Sequence, residues 1–184
     1  MTPPIKPAMR PALPFFSSGP TTKRPGWSPT ILSDAVLGRS HRSKAAKSKI
    51  TETMQLAREI LQMPDDYLIG IVPGSDTGAV EIALWSMLGA RGVDVLAWES
   101  FGKDWVNDIV SQLRIDDVTL HQAPYGQLPD LAAVNFANDV VLTWNGTTSG
   151  VKLPDGDWIA DDREGLVIAD ATSACFAMQL PWTK

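Results

Sequence analysis

The sequence predicts an α/β fold, a mostly parallel sheet with helices on both faces. Two observations carry that reading. Short runs rich in Val, Ile and Leu recur at 67–72, 93–98, 118–123, 139–144 and 165–170, each with the length of a buried strand. Helical patterns alternate with most of them, and alternating strands and helices are the signature of a parallel sheet with covered faces. No internal repeat interrupts the pattern.

The elements follow in order. Residues 1–30 hold most of the prolines, which fix φ and remove donors, so an extended arm with turns is expected. "TETMQLAREILQM" (51–63) puts Met54, Ala57, Ile60 and Leu61 on one helical face, with Thr51 as cap and Pro64 as stop. "YLIGIV" (67–72) reads as a strand. "GSDTGAVEIALWSMLG" (74–89) reads as a helix, with Val80, Leu84 and Met87/Leu88 on one stripe and Gly89 at its end. "VDVLAW" (93–98) is a strand, and "GKDWVNDIVSQL" (102–113) a helix in which Trp105, Ile109 and Leu113 recur every four. "VTLHQA" (118–123) is a strand that contains His121, and "LAAVNFA" (131–137) a short helix. "DVVLTW" (139–144) and "GLVIAD" (165–170) complete the strands.

Bulk composition bounds the function. The chain has 184 residues, 44% of them hydrophobic and 20% charged, the balance of an ordinary soluble globular domain or a piece of a larger one. No apolar run approaches the ~18 residues that span a bilayer, and the Pro-rich start lacks a secretory h-region. A single cysteine, Cys175, excludes an internal disulfide, fits a reducing compartment and reads as a buried structural thiol. Net charge is −5, yet residues 1–50 carry nine Lys/Arg against one acid, Asp34. Such asymmetry points the N-terminal part at an anion. Pro and Gly interrupt its basic residues, and no nucleic-acid motif accompanies them, so a small phosphorylated molecule suits it better than nucleic acid.

Ligands of parallel sheets sit beyond the carboxyl ends of the strands, so the residues after each strand deserve the closest reading. "PGSDTG" (73–78) opens a helix: its N–H groups and dipole favour a phosphate, or Ser75 or Asp76 is simply its N-cap. It is neither a Walker loop nor a dinucleotide fingerprint. In "ESFG" (99–102) Phe101 is either core or a ring that stacks on a flat heterocycle. "NGTTSG" (145–150) offers Asn145, Thr147 and Thr148, as turn chemistry or as ligand hydroxyls. "DATSA" (170–174) begins with Asp170, and a carboxylate closing an apolar strand needs a partner. A protonated ring nitrogen would supply one. Phosphate donors, a stacking ring, hydroxyls and an acid for a pyridinium together describe pyridoxal 5'-phosphate.

Five stretches carry a family resemblance: "FSSGPTTKRPGW" (16–27), "GRSHRSKAAK" (38–47), "PGSDTGAVEIALW" (73–85), "NGTTSGV" (145–151) and "ADATSACFAM" (169–178). Together they resemble the phosphoserine aminotransferase family, class V aminotransferases of the aspartate-aminotransferase-like pyridoxal-phosphate superfamily. The resemblance implies roles. Asp76 and Thr77 lie at the cofactor phosphate, with Gly74 and Ser75 shaping the loop. Phe101 stacks on the pyridine, Thr147 approaches its ring hydroxyl, Asp170 pairs with its nitrogen, and Ser173 lies nearby. His41 and Arg42 bind substrate phosphate or carboxylate, across a homodimer interface. No metal is implied.

The family transfers an amino group from glutamate to 3-phosphohydroxypyruvate, giving phosphoserine for serine biosynthesis in the cytoplasm, and in some bacteria it also serves pyridoxine synthesis. One feature departs from the family. Its Schiff-base lysine is expected beyond Lys184, because "LPWTK" does not match its context. The resemblance therefore implies an N-terminal portion: residues 1–50 as basic arm and substrate-binding segment, and 51–184 as part of the large cofactor-binding domain, incomplete at the C-terminus. By itself such a portion would not transaminate, and the remaining C-terminal part would cover its unpaired sheet edges. The alternative is a non-catalytic phosphate-binding or interaction protein that kept the pocket and lost the lysine.

Overall fold

A computed structural model describes residues 8, 9 and 23–184, so most of the arm and residues 16–22 of the first family stretch lie outside the described part. The chain divides into two units between Lys49 and Ile50. In the first, Ser28 caps a single 3-10 turn at Pro29–Leu32 by accepting from the Thr30 N–H. His41 and Arg42 are exposed in the turn before helix α1, Lys44–Leu61.

Helix α1 starts seven residues before the expected Thr51. Ser43 supplies the cap, its Oγ accepting from Ala46 N–H at 3.2 Å. The stretch "KAAKSK" has good helix propensity but no apolar periodicity, so pattern reading missed it. Ile60, expected on the inner face, is exposed, while Met54, Ala57 and Leu61 are half-buried. Trp182 ties down the end of α1 by donating from Nε1 to the Leu61 carbonyl at 2.7 Å, and its ring meets Tyr67 edge-on at 5.6 Å.

The second unit is built on a four-stranded parallel sheet whose strands, in spatial order, are Val118–Gln122 (β2), Val93–Ala97 (β1), Asp139–Thr143 (β3) and Val167–Asp170 (β6). Central strands β1 and β3 are buried at every residue, the consequence of being covered on both faces. Helices α2 (Asp76–Met87) and α3 (Ser100–Asn107) pack on one face, where Leu84, Trp105 and Ile109 meet Val93, Val95 and Val141. α3 runs on into a wider π-type turn at Asp108–Gln112. Leu96, Trp98, Val140, Leu142 and Trp144 fill the other core cluster, covered by the 3-10 helix Leu131–Ala133 and by loops that supply Leu153 and Ala174. The helix expected at 131–137 is thus a single 3-10 turn.

Two further differences from expectation stand out. Residues 145–152 form a small hairpin, β4 (Asn145–Gly146) antiparallel to β5 (Val151–Lys152). "YLIGIV" forms no strand: no ladder partner adjoins it among the described residues, and Leu68, Ile71 and Val72 are exposed. Strand composition needs a neighbour to pair with, and here the described chain offers none.

The chain entering β6 passes the chain entering β3 at very close range. A Cβ on Gly165 would lie 1.8 Å from the Asn138 carbonyl oxygen and 2.9 Å from Asp139 N. Gly165→Ala must therefore push backbone apart, with an expected loss near the top of the ~1–3 kcal/mol range for overpacking. A urea midpoint equal to that of the wild type would refute this close approach.

Candidate functional site

The carboxyl ends of the strands gather the polar groups. Thr143 and Asp170 are ladder partners at the ends of β3 and β6, and by the strand period of two they share the sheet face of Val141 and Ile168, the face packed by α2 and α3. Asp170 spends both oxygens on N–H donors. Oδ1 accepts from Thr172 N at 3.0 Å, and Oδ2 accepts from the indole Nε1 of Trp105 at 3.1 Å. Thr172 belongs to the same loop; Trp105 comes from α3.

The β4–β5 hairpin brings its hydroxyls to the same end. Gly146 is fixed there by crowding: a Cβ would lie 2.7 Å from both Glu99 Cγ and Trp98 Nε1. With the hairpin seated on β1's end, Thr147 Oγ1 reaches Ser173 Oγ at 2.6 Å. Thr148 takes a different role. It donates to Glu99 Oε2 at 3.0 Å and accepts from Ser100 N at 3.3 Å. Glu99 is fully buried, and its Oε1 accepts from Gly102 N at 2.7 Å, capping α3. Thus Thr148 is structural, while Thr147 faces Ser173.

The segment "PGSDTG" leads into α2. Gly74 takes φ +106°, a region glycine enters without strain. Ser75 is the N-cap, its Oγ accepting from Gly78 N at 3.5 Å. Residues 74–77 are exposed, so the first N–H groups of α2, which have no intrahelical acceptor, remain open to a ligand. Phe101, in the first turn of α3, is 43% exposed rather than core.

Sequence reasoning missed three residues here. Glu99 and Trp105 act through contacts 49 and 65 positions away in the chain, which no local pattern reports. Thr143 carries a buried hydroxyl with no hydrogen-bond partner among the described residues, beside Asp170; its only signal was a polar residue closing an apolar run. Cys175 is half-buried, and burial, followed by the nearby Asp170 charge, pushes its thiol above the ordinary value, as suits an inert cysteine. A cleft of about 460 Å³ lies elsewhere, between Ile60–Gln62 and Phe176–Trp182, lined by none of the expected residues. Among the described residues no helix is long and apolar enough to cross a membrane, and no cluster of three or more His, Cys, Asp or Glu could hold a metal.

A parallel α/β sheet with an acid and a hydroxyl pair at its strand ends belongs to the class of folds that bind ligands at the carboxyl edge of the sheet. No protein-family model matches the chain. It is 59% identical over 180 residues to the phosphoserine aminotransferase of Methanosarcina mazei, covering 98% of this chain and 49% of that protein, with the same figures for the enzyme of Methanosarcina barkeri. A crystal structure of a phosphoserine aminotransferase from Cytophaga hutchinsonii superposes with a TM-score of 0.67 at 24% identity, over 84% of this chain and 43% of that one. The fold also matches the pyridoxal-phosphate-bound phosphoserine aminotransferase from Trichomonas vaginalis, with a TM-score of 0.50 at 17% identity over 70% of this chain and 38% of that one. The chain thus resembles phosphoserine aminotransferases along almost all of its length and spans about half the length of the curated relatives it matches.

Proposed function

We propose that the chain forms the cofactor-binding floor of a phosphoserine aminotransferase and corresponds to its N-terminal half. The observation that carries this reading is Asp170, an acid at the carboxyl end of a sheet strand, held by two N–H donors near a hydroxyl pair. That donor set fits pyridoxal 5'-phosphate. Asp170 would pair with the protonated ring nitrogen, Thr147 with Ser173 would hold the ring oxygen, and Phe101 would stack on the ring. The open N–H groups at 75–77, with Gly74 turning the chain, take the phosphate.

When bound, the cofactor supplies an electron sink for the substrate's reacting carbon. The chain's own residues anchor and polarise. The Asp170 carboxylate would hold the proton on the ring nitrogen, and the α2 N-terminus would hold the phosphate. His41 and Arg42 bind the anionic ends of glutamate and 3-phosphohydroxypyruvate, an Arg fork being suited to carboxylate and phosphate alike. Lys184 is occupied by Asp161 at 2.7 Å, and Lys152 by the Leu153 and Pro154 carbonyls at 3.2 and 3.4 Å. Neither of these two lysines is free to bond the cofactor. The whole protein is read as a cytoplasmic homodimer that serves serine biosynthesis, and pyridoxine biosynthesis with it.

Titrating the chain with pyridoxal 5'-phosphate and with pyridoxal, followed by tryptophan fluorescence, tests the reading. Charge-assisted hydrogen bonds of ~1.5–3 kcal/mol predict that the phosphate adds roughly 10- to 100-fold in affinity. Equal affinities, or no binding of either, would sink it.

A further inference from the structure

We infer that Trp105 is a positioning residue for Asp170. What Asp170 faces rests on the cofactor reading above; what holds it rests on geometry alone. Trp105 is 4% exposed in α3, locked among Leu84, Val95, Ile109 and Val141. The indole has one polar atom, and that atom donates to Asp170 Oδ2 at 3.1 Å. An N–H set in a packed core cannot wander, whereas Asp170 sits half-buried on an edge strand. Its other oxygen is held only from its own loop, by Thr172 N. Two donors from different elements fix the carboxylate plane where one would let it turn.

The chemistry of the donor matters as much as its position. The indole is neutral and donates only. A Lys or Arg in its place would orient the carboxylate equally well, but would also neutralise it and compete with a cationic ring nitrogen. Among the described residues Asp170 forms no ion pair. Trp105 therefore orients the acid while leaving its charge for the ligand.

Two arms test the inference on the 184-residue chain. In the first, the seven tryptophans give indole ¹⁵N–¹H signals, and Trp105→Phe identifies the one from Trp105. That signal is expected downfield, slow to exchange, and displaced in Asp170→Asn. If it is indifferent to Asp170→Asn, the hydrogen bond is absent and the inference falls; should Trp105→Phe not fold, Trp105→Tyr assigns the signal instead.

The second arm measures binding of pyridoxal 5'-phosphate and of its analogue with CH in place of the ring nitrogen. Trp105→Phe is expected to weaken the first by about tenfold, the worth of one hydrogen bond to a charged group, and to leave the second unchanged. Equal weakening of both would mean that Trp105 acts only through packing, and would overturn the inference. Should the wild-type chain bind neither compound, the cofactor reading fails, and the indole signal alone decides whether Trp105 holds Asp170.

Discussion

Asp170→Asn is expected to weaken pyridoxal 5'-phosphate binding by roughly 10- to 100-fold, because it removes a charged hydrogen bond worth ~1.5–3 kcal/mol. The change is isosteric, so the strand end should keep its shape. The asparagine still offers one oxygen, but its amide nitrogen must then face either the Trp105 indole N–H or the Thr172 N–H, both of which now meet oxygens. Donor against donor costs about 1–3 kcal/mol of stability, a loss of the same order as that in binding. A fluorescence titration beside a urea melt separates the two effects. An unchanged dissociation constant would mean that Asp170 faces no cationic ring, and the cofactor reading would lose its main support. Thr147→Ala, in contrast, should leave the melt unchanged and cost the ligand only a neutral hydrogen bond.

The contrast between Asp170 and its partners marks what the sequence can disclose. Asp170 was legible because a charge at the end of "LVIA" is a local anomaly, visible within five residues. The central strands were legible for the same reason: "VDVLA" and "DVVLT" are apolar runs whose burial follows from composition. The Ser75 cap of α2 is likewise a matter of neighbours. Trp105 was read only as a helix-stripe residue, and its N–H was assigned nothing, because its acceptor lies 65 residues away. Glu99, and its bond from Thr148, escaped for the same reason. "YLIGIV" failed in the opposite direction. Its composition is that of a strand, but pairing is a property of two segments, and a second one is not found among the described residues. Local chemistry writes itself into neighbouring residues; tertiary hydrogen bonds and ladder partners do not.

Asp94→Ala is expected to cost about 3–5 kcal/mol, the scale for stranding the partners of a buried charge. Asp94 is the one acid in β1, and it is fully buried. Oδ2 meets His121 Nε2 at 2.7 Å and accepts from Asn135 N at 2.9 Å, and Oδ1 accepts from Asn138 Nδ2 at 2.8 Å. The cluster joins β1 to edge strand β2 through the ring of His121 and pins the 135–138 turn that leads into β3. Alanine would leave all three groups facing a void.

Burial alone would push the Asp94 carboxyl up, yet the hydrogen bonds from Asn135, Asn138 and His121, with the charge of His121, more than offset it, and the acid sits below its ordinary value of 3.8. The unfolded chain therefore takes up this proton first on acidification. The stability contributed by Asp94 is whole above the ordinary aspartate range and is lost as pH falls below it and through the folded value. Urea midpoints of the wild type and Asp94→Ala should accordingly differ most at neutral pH and converge in that acidic window. A gap that stays constant with pH would mean that the cluster holds its acid by packing rather than by charge.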